Sequence, residues 1–203
     1  MRRAALVALL AGLALAPVAR ADGDPASDYL LTQPVFLPPD VVMQKSDSNR
    51  LVGEVAAAKA RGFEIRVALI GTRYDMGSVG ALYRRPQQYA LFLGQELRFV
   101  YKGRLLVVMP NGYGVSRGGK AWPAGQAVVA RLRPGGGAGP ALAAAGSSAV
   151  RALAAASGVH VSASTSGGAA SKGIAFAAIA AVVVVLLAGG IGAFVVRNRA
   201  KAA

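Results

Sequence analysis

The apolar and polar positions of this chain change their period several times, and each change marks an element. Over residues 173–196 there is no period: GIAFAAIAAVVVVLLAGGIGAFVV contains no charged residue, Asn, Gln or Pro. At 1.5 Å per residue a helix of this length reaches about 36 Å, enough to cross a hydrocarbon core of about 30 Å with some tilt. It is apolar on every face, and in lipid a helix satisfies its own backbone groups, so the stretch is read as a transmembrane helix. Arg197, Arg199 and Lys201 follow at once. By the positive-inside rule they place the C-terminus in the cytoplasm and the N-terminal domain outside. A second apolar run, residues 4–16, follows Arg2 and Arg3 and ends in Ala19-Arg20-Ala21, which makes residues 1–21 a secretory signal peptide.

Between these two segments the pattern alternates between strand and helix. Residues 22–40 form an extended lead-in with one short strand at Val35, Phe36 and Leu37. Leu51, Val55 and Ala58 share one helical face over residues 46–61, with Asp47 or Ser48 to cap it and Gly62 to stop it. FEIRVALIG, residues 63–71, alternates and then turns apolar on both faces, as a central strand does. Residues 72–85 read as a loop with a turn of helix near Val79 to Tyr83. Pro86 opens a second helix carrying Tyr89, Phe92, Leu93 and Leu97 on one face. RLLVVMP, residues 104–110, is a second apolar strand, and Asn111-Gly112 turns it into a hairpin with residues 113–116. Residues 126–133 read as a further strand, 134–140 as a glycine-rich joint and 147–157 as a closing helix. The βαβ-like spacing predicts an α/β sandwich over residues 22–158, then a flexible stalk at 159–172, the span, and a short basic tail at 197–203.

Composition narrows the chemistry. The chain has 203 residues, no cysteine and a single histidine, so neither disulfides nor a tetrahedral zinc site is on offer. Its formal charge is +14. Setting aside Arg2, Arg3, Arg20, Arg197, Arg199 and Lys201 leaves 17 basic against 9 acidic residues, a net +8 for the exported part. Outside a cell such a charge favours anionic lipids, wall polymers or acidic proteins over nucleic acid. Gly114-Val115-Ser116-Arg117-Gly118 spells the G-x-S-x-G of a hydrolase elbow, but no acidic residue follows Glu96 and His160 falls in the stalk, so a glycine-rich strand end is expected. Gly114 and Gly119-Lys120 approximate a P-loop, with Ala121 where a magnesium-binding hydroxyl belongs. Asp22, Asp24, Asp28, Asp40, Asp47 and Asp75 are spaced unlike any calcium loop. Asp75 stands just past the strand at 63–71, where open α/β sheets bind ligands, with Arg73 beside it; a turn-stabilising role is the simpler reading. Tyr83, Arg84 and Arg85 join Arg73 as candidate residues for an anionic partner.

IRVALIG, PQQYALFLGQEL and RLLVVMPNGYGV, set between a signal peptide and a C-terminal span, together resemble the TPM family. That family is named for a thylakoid-lumen phosphatase-like protein, a photosystem repair protein and an acetylcholine-receptor modulator. The resemblance covers residues 28–157 and is most specific in LLVVMPNGYG. It implies a three-layer α/β sandwich with a mixed sheet, and in some members phosphatase activity or calcium binding through acids near the first strand. Here that region reads LLTQPVFLPPD, with Gln33 and Pro34 in place of acids.

The expectation is therefore a single-pass, membrane-anchored, extracytoplasmic TPM-like protein of the bacterial envelope, acting as a non-enzymatic binding or assembly module with no cofactor and no bound metal. Its partners are the lipid bilayer through 173–196 and envelope proteins. A weak phosphatase-like enzyme and a binder of anionic wall or lipid surfaces are the alternatives. Ala177, Ala181, Val185, Gly189 and Ala193 lie four apart along the span, and Gly189 with Ala193 offers a close-packing face for a homodimer.

Overall fold

The computed structural model describes residues 23–39, 41–134 and 136–162. The segments expected to be the signal peptide, most of the stalk, the span with its Gly189 and Ala193 face, and the basic tail lie outside the described residues. Among the described residues, no helix is long and apolar enough to cross a membrane.

Among the described residues the chain forms one mixed five-stranded sheet in the order β1-β2-β3-β4-β5. Strands β1 (Val35–Phe36), β2 (Ile65–Leu69) and β3 (Arg104–Met109) are parallel, and β4 (Gly112–Arg117) and β5 (Lys120–Ala121) fold back antiparallel. The helices are α1 (Pro25–Leu30), α2 (Lys45–Ala60), α3 (Pro86–Leu97), α4 (Pro123–Val129) and α5 (Pro140–Ala156), with a kinked 3-10 segment at Arg73–Leu82.

Successive strand residues point to opposite faces, and this chain has apolar side chains for both. Val67, Leu69, Leu106 and Val108 join one core with Leu51 and Val55 of α2, Val129 of α4 and Leu142, Val150 and Leu153 of α5. Ala68, Ile70, Leu105, Val107 and Met109 join a second core with Leu30 of α1, Met76 and Tyr89, Leu93 and Leu97 of α3. Helices thus cover both faces, which is why β2 and β3 lack the polar alternation of a half-exposed sheet. Within the α2–α5 layer, buried Glu54 accepts a hydrogen bond from Arg151.

Four expectations change. The lead-in at 22–40 is not extended throughout, because Asp24 and Pro25 open the helix α1 before β1. The first half of the segment read as a strand at 126–133 belongs to the helix α4, which ends at Val129, and a turn follows. Val129, Arg131 and Arg133 do suggest a period of two, but Pro123 presets a first helical turn and Gly125 and Val129, four apart, are the positions that bury. The closing helix starts at Pro140 and not at 147; Gly146, a weak helix former, sits where Leu69 and Leu51 close in, and an added Cβ would lie 3.1 Å from Leu69 Cδ2. The β3–β4 hairpin turns on Pro110-Asn111, because Gly112 already pairs with Met109.

Candidate functional site

Strand β2 delivers the chain to a turn at Gly71 and Thr72, and Asp75 closes that turn. Its Oδ2 accepts hydrogen bonds from the Gly71 N–H at 2.8 Å and the Thr72 N–H at 2.7 Å, and the residue is only 2% exposed. A carboxylate three residues into a helical segment satisfies donors that the segment itself leaves orphaned. Asp75 therefore acts within the fold, while its Oδ1 is buried without a partner in the protein. Tyr83 reaches the same turn, its hydroxyl donating to the Gly71 carbonyl at 2.9 Å.

A second acid at this end, Asp24, belongs to the segment whose sequence reads as an extended lead-in. It caps α1, its Oδ1 accepting from the Ala26 N–H at 3.3 Å and from the Tyr89 hydroxyl at 2.7 Å, and its Oδ2 is buried without a partner. Burial pushes its carboxyl up to about 6, against the opposing effect of those two hydrogen bonds. Burial, and then the nearby Asp24 and Asp75 carboxylates, push the Tyr89 phenol well above its ordinary value, so it stays a donor. The signal that marks Asp24 is local: an Asp directly before Pro25 is a strong helix start.

The candidate binding arginines lie at the same end of the sheet, apart from these acids. Arg73 opens the 3-10 segment and is exposed, and it forms no ion pair with Asp75. Arg84 is exposed and adopts φ 63°, a left-handed conformation rare outside glycine, with its carbonyl accepting from Asn111 Nδ2 at 2.7 Å. Arg85, also exposed, precedes α3 as its N-cap. Beside them an open cleft of about 440 Å³ is lined by Gln87, Tyr113, Gln126, Val129 and Leu132 among others. Gln87 uses its side-chain amide on the edge of β4: Nε2 donates to the Val115 carbonyl at 2.9 Å and Oε1 accepts from the Val115 N–H at 3.0 Å.

The glycine-rich motif has a packing role. Ser116 is fully buried and its hydroxyl donates to the Ala90 carbonyl at 2.7 Å, so it presents no nucleophile. A Cβ on Gly114 would fall 1.9 Å from the Pro86 carbonyl oxygen, and one on Gly94 would fall 2.5 Å from Ser116 Oγ. These bare positions let α3 lie directly on β4. Gly118 and Gly119, at φ 57° and 73°, form the two-residue turn between paired Arg117 and Lys120, a geometry that demands positive φ at both positions. Among the described residues, no three His, Cys, Asp or Glu side chains converge as a metal site would require. His160 is exposed beyond the end of α5.

None of the family models, curated proteins or solved structures compared with this chain matches it.

Proposed function

We propose that this chain is a single-pass membrane protein whose exported TPM-like domain, a three-layer sandwich, serves as a non-enzymatic binding or assembly module of the cell envelope. The observation that carries the reading is the uncharged stretch at 173–196 with its basic flank, placed behind a domain of mixed sheet and covering helices. The domain's side chains support the non-enzymatic part: Ser116 and Asp75 are hydrogen-bonded within the fold, and Asp24 is engaged by Tyr89 and α1. In this reading residues 1–21 are removed on export, Arg73, Arg84 and Arg85 face an acidic partner, and the Gly189–Ala193 face pairs two copies in lipid.

Protease applied to intact cells expressing the chain with a C-terminal tag should remove the domain through residues 159–172 and leave a small tagged membrane fragment. A domain that stays protected until the cells are lysed would overturn the topology.

A further inference from the structure

The parallel strands begin, and β4 ends, at the end of the sheet opposite Asp75. Phe99 and Val100, just past α3, are 82% and 63% exposed, and Leu31, just past α1, is 40% exposed. Arg98 lies over the Phe99 ring at 4.6 Å. Around them Arg61, Lys102, Arg117 and Lys120 are exposed, and no carboxylate pairs with any of them among the described residues. Glu64 at this end is already paired with Lys59 at 3.0 Å, and Glu96 is the nearby acid on α3.

Helix α5 carries the chain to this end. Its N-cap Gly139 packs against the Val42 carbonyl and the Val41 side chain, and Val41 in turn lies against Gly71, just past the finish of β2. It passes Leu69 at Gly146 and Glu54 at Arg151, and finishes at Ala156. Val161 then packs into the same core as Phe63, just before β2, and Ile65, its first residue. Ten residues, 163–172, separate this exit from the proposed span. Whatever their conformation, they reach at most about 35 Å.

From this placement we infer that the end bearing Leu31, Phe99 and Val100 rests on the bilayer, its apolar side chains entering the headgroup layer and its arginines and lysines meeting anionic lipid. The inference rests on the membrane-anchored reading above. Exposed aromatic and aliphatic side chains ringed by basic residues are what an interfacial surface needs, since apolar burial and attraction to anionic headgroups add. A lipid surface is favoured over a protein partner because α5 carries the chain out of the domain at this end, ten residues before the proposed span. Tyr74 and Val42, at the Asp75 end, are 79% and 92% exposed and provide the control.

The absence of cysteine allows a clean test with the full-length chain. Val100→Cys and Tyr74→Cys, each carrying an environment-sensitive fluorophore, are reconstituted into vesicles of phosphatidylcholine with or without phosphatidylglycerol, containing nitroxide-labelled lipid. At least twofold stronger quenching at position 100 than at 74 is expected in the anionic vesicles, with the difference shrinking in 0.5 M salt or without phosphatidylglycerol. Equal quenching at both positions overturns the inference, and so does a difference indifferent to salt and lipid charge. A probe at 100 that is shielded in native membranes but not in protein-free anionic vesicles assigns the surface to a protein and also overturns it. Alkaline washing separates the two readings. A chain released from the vesicles refutes the anchor, whereas a retained chain with equal quenching refutes only the contact.

Discussion

The two ends of the sheet handle charge in opposite ways. Where the parallel strands finish, Asp24 and Asp75 are buried and their bonded oxygens are taken up by backbone N–H groups and the Tyr89 hydroxyl. Where the strands start, the charges are mainly positive, and they lie over aromatic rings or in solvent: Arg66 over Tyr101 at 4.2 Å, Arg104 over Phe63 at 4.4 Å, and Arg61, Lys102 and Lys120 exposed. Buried acids that complete turns hold the fold together, and exposed bases with no carboxylate partner among the described residues are free to meet one. The sites that matter for stability and for lipid contact should therefore separate by end, although Arg73, Arg84 and Arg85 stay exposed beside the buried acids.

The sharpest way to break that separation is Asp75→Ala. The substitution strips one buried and one part-buried backbone donor of a carboxylate acceptor, and hydrogen bonds to charged groups are worth about 1.5–3 kcal/mol each. Because Asp75 itself carries a buried, unpartnered Oδ1, the net loss should be about 2–3 kcal/mol in a urea titration. A change below about 0.5 kcal/mol would show that the acid end is not a structural keystone.

Next comes pH. The folded state holds a proton on Asp24 up to about 6, whereas the unfolded chain releases it near 3.8. Between these values the folded state binds more protons, so this residue's contribution falls as pH rises through the window and stays low above it. Each tenfold difference in proton affinity between the two states is worth roughly 1.4 kcal/mol, so the fall is at most about 3 kcal/mol. Asp24→Asn keeps an oxygen for Ala26 and Tyr89 and cannot ionise, so its unfolding free energy should lose this fall between pH 4 and 7. A wild type and variant with parallel pH profiles would refute the assignment.

The smallest effects belong to the other end. Lys102→Ala and Lys120→Ala should each leave stability within about 0.5 kcal/mol, because exposed residues with no specific contact seldom matter more. A drop beyond about 1 kcal/mol in thermal or urea melts would mean that the basic end is also built into the fold.

Much of the domain is legible in its hydrophobic periods. Leu51, Val55 and Ala58 of α2 and Tyr89, Leu93 and Leu97 of α3 bury as their spacing predicts, and β2 and β3 lie where both faces are apolar. Helix α4, expected as a strand, shows where periodicity stops deciding. A short segment with Val129, Arg131 and Arg133 fits strand and helix alike, and tertiary contacts decide between them. The start of α5 is hidden for another reason: an alanine- and glycine-rich run has little amphipathic contrast, and its burial comes from the flat packing of small side chains against Leu51 and Leu69. The acid end is legible only in part. Asp75 stands out because it follows a strand, whereas the pairing of Asp24 with Tyr89 joins residues 65 positions apart and has no local signature.

Gln87 has a consequence for how copies of this domain behave at high concentration. Strand β5 covers β4 only at Ser116 and Arg117, which leaves the outward N–H and C=O of Val115 without a strand partner, and one amide side chain satisfies both. An uncovered ladder is a template on which another chain can zip. By closing it at Val115, Gln87 shortens the stretch of β4 edge on which a second copy could pair.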